Sequence, residues 1–236
     1  MPEHAPEQIQ GTENAGSTPV YVWDVPTRIF HWSLLAAVAT SLISAELGYM
    51  SVHLISGHVV LALLIFRLCW GFFGGRHARF ASFVKGPVTV LKYACRLKSG
   101  ETPAHLGHNP MGGWSVLAII AALTVQASSG LFANDDILTE GPLADTVTKS
   151  TSDFLTYIHN LSSNAVYVLI VLHLAAVAFY TFKGHGIIRA MIDGRTRDVP
   201  SMRTDEPAAR DARGSIIAAL VIAALAAAVS YAIKVY

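Results

Sequence analysis

The chain has only two cysteines in 236 residues, and only 14% of its residues are charged. No segment alternates apolar and polar residues as a membrane barrel strand would, and no convincing internal repeat is present. The first twenty residues, MPEHAPEQIQGTENAGSTPV, lack both the charged start and the apolar centre of a cleavable signal. They are polar and rich in Gly, Pro, Glu and Gln, and are expected to form a disordered tail. A soluble domain is excluded by what takes the place of charge: 53% of residues are hydrophobic and the mean hydropathy is positive.

Five apolar runs are long enough to cross a hydrocarbon core of ~30 Å. They fall at about 29–47, 53–73, 114–132, 158–182 and 215–233. Basic residues crowd the links between the second and third runs (Arg76, Arg79, Lys85, Lys92, Arg96, Lys98) and between the fourth and fifth (Lys183, Arg189, Arg195, Arg197, Arg203, Arg210, Arg213). The link between runs three and four instead carries Asp135, Asp136, Glu140, Asp145 and Asp153 against Lys149 alone, and the turn between runs one and two has no basic residue. Positive loops stay in the cytoplasm, so the N-terminus is expected inside and the C-terminus outside. Cys69 and Cys95 then lie on the cytoplasmic side, where disulfides are rarely kept.

The expected fold is an all-α membrane protein: a four-helix transmembrane bundle with a fifth, C-terminal helix. Its parts are a tail over 1–20, a membrane domain over 21–195, a charged, Pro-containing link over 196–213 and the last helix over 214–236. That helix, SIIAALVIAALAAAVSYAI, has small residues and no histidine, as suits packing onto a bundle. FVKGPVTVLKYACRLK mixes apolar and basic residues at helical spacing and is expected to lie along the inner leaflet. Nothing points to nucleic acid.

Histidine is placed with a pattern. His159 and His173 bracket the fourth run, fourteen residues apart, which on an α-helix means one face within roughly 40° and about 21 Å of separation. They cannot share a metal ion, so each needs a partner from another helix at its own depth. The alternating direction of the helices pairs His53 with His159 near the outer surface and His31 with His173 nearer the cytoplasm. Two imidazoles from facing helices suit axial ligation of a haem iron from both sides, and two levels give two haems. With no CxxCH motif, ordinary covalent c-type attachment is excluded.

Arg67 follows His53 by fourteen residues on roughly the same face, and a buried arginine should point toward an anion such as an inner-haem propionate. Arg28, one turn before His31, is a second candidate. Gly57, four residues after His53, leaves room for a flat macrocycle to approach the backbone. The face shared with Arg67 favours His53 over His58, which is then a polar residue near the outer haem. Any single histidine of this set also suits a helix-to-helix hydrogen bond or a proton relay. Gln126 is expected to bond a neighbouring helix, and Glu46 to sit at the interface.

RIFHW, HLISGHVVLALLIFRLCWGF, RHARFASFVKGP, GHNPMGGW and IHNLSSNAVYVLIVLH together resemble the prokaryotic cytochrome b561 family, which includes the b-type cytochrome subunits of nickel–iron hydrogenases. The resemblance runs from about residue 21 to 195. It implies two non-covalent b haems ligated by His31, His53, His159 and His173, with Gly57 and Arg67 at the positions the family pattern gives them. It also implies electron transfer in the bacterial inner membrane between the quinone pool (ubiquinone or menaquinone) and an extracytoplasmic donor, such as a periplasmic c-type cytochrome or a hydrogenase-like partner. Enzymatic quinone reduction by oxidation of superoxide is an alternative within the family. A haem-free transporter or channel using histidine relays is an alternative of another class. Trp114, His108 and Arg79 are expected to border a quinone site.

Overall fold

A computed structural model describes residues 20–101, 105, 107–196 and 212–235. The expected tail therefore lies outside the described residues except for its last residue, and so does nearly all of the charged link. Val20–Tyr21 forms strand β1, which pairs antiparallel with β2, Arg195–Thr196. The two expected domain edges thus meet each other as a short clasp.

Among the described residues, seven α-helices run between the strands. The first, α1, covers Val25–Glu46; Asp24 caps it, accepting the Thr27 amide at 2.8 Å, and Pro26 sits in its first turn, where its missing N–H costs nothing. A turn through Gly48, whose φ of +75° favours glycine, leads into α2, Met50–Phe73. Then come α3 (Phe80–Phe83), α4 (Pro87–Lys98), α5 (Pro110–Gly130), α6 (Lys149–Phe182) and α7 (Ile187–Asp193). An eighth helix, α8, spans Ala212–Val235. Five of these, α1, α2, α5, α6 and α8, are long and apolar enough to cross a membrane.

Helix α2 is the hub. It packs on α1, α5 and α8, while α5 packs along α6. Lipid gives helices no hydrophobic reason to associate, so close approach depends on small side chains and good contact. The core reflects this: Ala37, Val38, Val60, Leu64, Ile120 and Val166 form one buried cluster, and Ala219 and Ala226 of α8 join Phe30, Phe66 and Trp70 in another. Bulky residues such as Ile29, Phe72, Val171 and Leu225 face outward, as a lipid-exposed surface requires. Ser230 of α8 adds a hydrogen bond, donating to the His58 carbonyl at 3.0 Å.

Helix α6 departs from the sequence expectation. It starts at Lys149, nine residues before the apolar run, because Thr148 caps it by accepting the Thr151 amide. Its 34 residues extend about 51 Å, well beyond a hydrocarbon core. The helices leave an acidic end, where α1 turns into α2 and α5 is linked to α6, and a basic end, where α3, α4 and α7 lie.

Candidate haem sites

At the acidic end, His53 of α2 and His159 of α6 face each other, with ring centroids 6.1 Å apart and planes at 83°. His53 Nδ1 lies 2.9 Å from the Ser41 carbonyl, and His159 Nδ1 lies 2.9 Å from the Gln126 carbonyl. A carbonyl only accepts, so each Nδ1 carries the hydrogen and each Nε2 keeps its lone pair. Gln126 supports the same tautomer, since its Nε2 amide sits 3.1 Å from His159 Nε2 as donor. Ser162 in turn donates to Gln126 Oε1. Sequence reading had Gln126 bonding a neighbouring helix, and it does; its hold on both ring nitrogens of His159 is visible only in three dimensions.

Two glycines shape this site in opposite ways. A Cβ on Gly130 would come within 2.8 Å of His159 Cε1, so glycine is what lets that imidazole lie against α5. A Cβ on Gly57 would meet nothing within 4 Å, because that side of α2 lines a cavity of about 80 Å³. His53, His58, Gln126 and His159 line the same cavity. His58 donates from Nδ1 to the Leu54 carbonyl of its own helix at 2.7 Å, and its Nε2 is buried without a partner. Its ring therefore shares the chamber with the facing pair. Glu46 accepts from Tyr167 at 3.1 Å, which ties α1 to α6.

Toward the basic end, His31 of α1 and His173 of α6 lie within electrostatic reach of each other, and His31 Nδ1 is buried without a partner. Arg67 is 4% exposed. Its guanidinium carbon stands 4.8 Å from the Phe80 ring centroid and 5.9 Å from that of Phe83, and its Nη1 is buried and unpartnered. Asp24 is a counter-charge within range, but it already accepts from the Thr27 amide and from Trp70 Nε1 at 3.3 Å. Arg28 donates from Nη1 to the Ile192 carbonyl near the end of α7, while its Nε is buried without a partner.

His108, which precedes α5, belongs to the same neighbourhood. Its ring lies 4.7 Å from that of Trp23 and 4.7 Å from that of Phe83, and its Nδ1 is buried and unpartnered. Burial, reinforced by the Arg67 charge and by His173, His31 and His77, pushes its pKa down to about 3, so the ring is neutral. Trp114, grouped with His108 in the sequence reading, donates to the Lys85 carbonyl at 2.9 Å and is 46% exposed. Among the described residues no group of three or more His, Cys, Asp or Glu side chains is placed to hold one metal ion. Of the intramembrane histidines, His53 and His159 meet ring to ring.

A helical membrane bundle in which imidazoles from two helices meet is the frame of a b-type cytochrome. The chain belongs to the prokaryotic cytochrome b561 family, whose model matches residues 22–194. It is 24% identical to a probable Ni/Fe-hydrogenase B-type cytochrome subunit of Bradyrhizobium diazoefficiens, over 78% of this chain and 88% of that one. It is also 24% identical to a protein of the same description from Rhodobacter capsulatus, over 75% and 81% of the two chains. No solved structure matches it. Family and fold together make it a multi-pass membrane protein that uses haem b for electron transfer.

Proposed function

We propose that the chain is a diheme cytochrome that moves electrons between an extracytoplasmic donor and the quinone pool. In this reading His53 and His159 hold one haem b at the acidic end, and His31 and His173 hold a second toward the basic end. The facing of His53 and His159 carries the proposal. Two metal–imidazole bonds of ~2.0 Å, with roughly 1.1 Å from each nitrogen to its ring centre, call for a centroid separation of about 6.2 Å, close to the 6.1 Å observed. Both rings have the tautomer that ligation through Nε2 needs, fixed by carbonyl partners of the kind that raise ligand basicity. Ligation of His159 would exchange its bond to the Gln126 carboxamide for one to iron.

For the second pair, the support is the set of buried atoms without partners: His31 Nδ1, Arg67 Nη1 and Arg28 Nε. Buried donors that nothing satisfies are costly, and the carboxylate arms of a bound haem would satisfy the two arginine nitrogens. Haem supplies the one-electron chemistry when bound, while the chain fixes its depth, orientation and surroundings. With basic loops inside and acidic segments outside, the acidic end would face the donor. The naming of the two relatives favours a hydrogenase-like partner there, and a basic c-type cytochrome is the other candidate for the same charge.

Haem counting on purified protein tests the reading. Two b haems per polypeptide are expected, falling to one in His53→Ala and in His173→Ala and staying at two in His58→Ala. A preparation made with adequate haem that shows no Soret band would favour the histidine-relay class instead. Loss of a haem from His58→Ala but not from His53→Ala would overturn the ligand assignment.

A further inference from the structure

Resting on the diheme reading, we infer that α7 is a latch between α1 and α6 that sets how far apart His31 and His173 are held. Arg28 and Trp32 are then positioning residues for the haem of that pair.

The need for a latch follows from the packing. Helix α1 packs along α2 and α6 along α5, so among the described residues the helices that carry His31 and His173 share no extended face of their own. At the acidic end they are bridged by the hydrogen bond from Tyr167 to Glu46. At the basic end the bridge runs through α7.

One half of the bridge is a stiff joint to α6. Only residues 183–186 separate the two helices. Backbone bonds fix their course: Gly184 donates to the Thr181 carbonyl at 3.0 Å, His185 to that of Tyr180 at 3.0 Å and Ile187 to that of His185 at 2.9 Å. Gly184 makes the turn with a φ of +85°. Helix α7 therefore follows α6, whose end lies nine residues, about 14 Å, beyond His173.

The other half comes from α1. A helix of seven residues is too short to persist alone, and its last four carbonyls find no partner within it. The Gly194 amide satisfies Ala190 at 2.9 Å, but α1 satisfies the next two: Trp32 Nε1 donates to the Met191 carbonyl at 3.2 Å and Arg28 Nη1 to that of Ile192. A cation at this end also suits the helix dipole. Arg28 and Trp32, one turn apart on α1, flank His31, and the Trp32 ring stands edge-on to the imidazole with centroids 5.2 Å apart. Gly194 completes the latch. It ends α7 with a φ of +83°, and its carbonyl accepts from Val22 at 2.8 Å and from Trp23 at 3.2 Å. A Cβ there would come within 2.8 Å of the Trp23 carbonyl and 2.9 Å of the Tyr21 ring. Loosening these contacts would shift His31 relative to His173 and leave His53 and His159, at the other end, where they are.

Two variants of the full chain test this. Trp32→Phe keeps an aromatic ring and loses the donor, while Gly194→Ala strains a left-handed position and presses on Trp23. The readouts are haem transfer to excess apomyoglobin and the ferric low-spin EPR spectrum, whose low-field signal follows the angle between the two ligating imidazoles. The haem retained in His53→Ala identifies the signal of the His31 and His173 centre. That centre is expected to lose haem ~2- to 10-fold faster in Trp32→Phe. In Gly194→Ala the expected increase is ~5- to 30-fold. Its EPR signal should move in both variants, and the other haem should keep its release rate and its signal.

An unmoved signal from the His31 and His173 centre in Trp32→Phe overturns the latch, whatever Gly194→Ala does. So do equal effects on both haems, which mark general loosening of the bundle. Loss of that one haem from Gly194→Ala supports the latch; loss of both counts against it. The diheme reading is judged separately, on the haem count of the unsubstituted protein.

Discussion

Replacing Gly57 by leucine separates the fold's needs from those of the bound group. Glycine inside a helix costs about 1 kcal/mol relative to alanine, so any ordinary helix former at position 57 should stabilise α2 itself. Nothing of the protein opposes the change, since a Cβ there meets no atom within 4 Å. The opposing effect arises only if a macrocycle lies on that face. The added side chain points into the cavity that His53 and His159 share, and filling a closely packed site in this way costs roughly 1–3 kcal/mol, about 5- to 150-fold in haem affinity. The assay is haem stoichiometry together with thermal unfolding of haem-depleted protein. Gly57→Leu should keep or raise the unfolding temperature without haem while the count falls from two toward one, with the His31 and His173 centre retained. A full complement of haem in Gly57→Leu would refute the proposed position of the macrocycle.

Gly130→Ala should act on the same centre through the opposite mechanism. Its methyl would press on His159 Cε1 and Nδ1, weaken the bond to the Gln126 carbonyl and lower haem affinity by ~10- to 100-fold, measurable by apoprotein titration, as loss of an orienting partner does. Asp135 gives a pH test outside the membrane. Backbone amides of Thr139, Ile137 and Leu138 donate to its carboxylate and hold its pKa well below the usual range. A depressed folded pKa means the loop's stabilisation is complete above the unfolded value of ~3.9 and fades as pH falls below it. Amide exchange at residues 137–139 should therefore show protection lost on acidification below about pH 4, and Asp135→Ala should show that loss at every pH.

The fourteen-residue spacings were readable in one dimension because both ends of each lie on one helix, where the period fixes the shared face. His159 with His173, and His53 with Arg67, needed no knowledge of neighbouring helices. The pairing of His53 with His159 needed only alternating helix directions, and the structure brings those rings together. The true start of α6 was missed because a search for apolar runs sees the lipid-facing part of a helix and stops where polar residues begin. The signal was present in Thr148, a capping residue followed by nine helix-compatible positions.

Gln126 and His108 mark the limit of such reading, for a physical reason. Each meets its partner across 33 or more residues of chain, Gln126 at His159 and His108 at Trp23, so no local period announces the contact. What the sequence does contain is the space for those contacts, in the form of glycine. Gly130 admits the His159 ring, and Gly71 and Gly113 admit the two phenylalanines of α3, while Gly57 leaves a face clear that no part of the protein covers. Three of these four positions are filled by the chain itself. The fourth lies in the chamber that two facing imidazoles line, so a glycine that costs the helix stability is best explained by a flat group held between those rings.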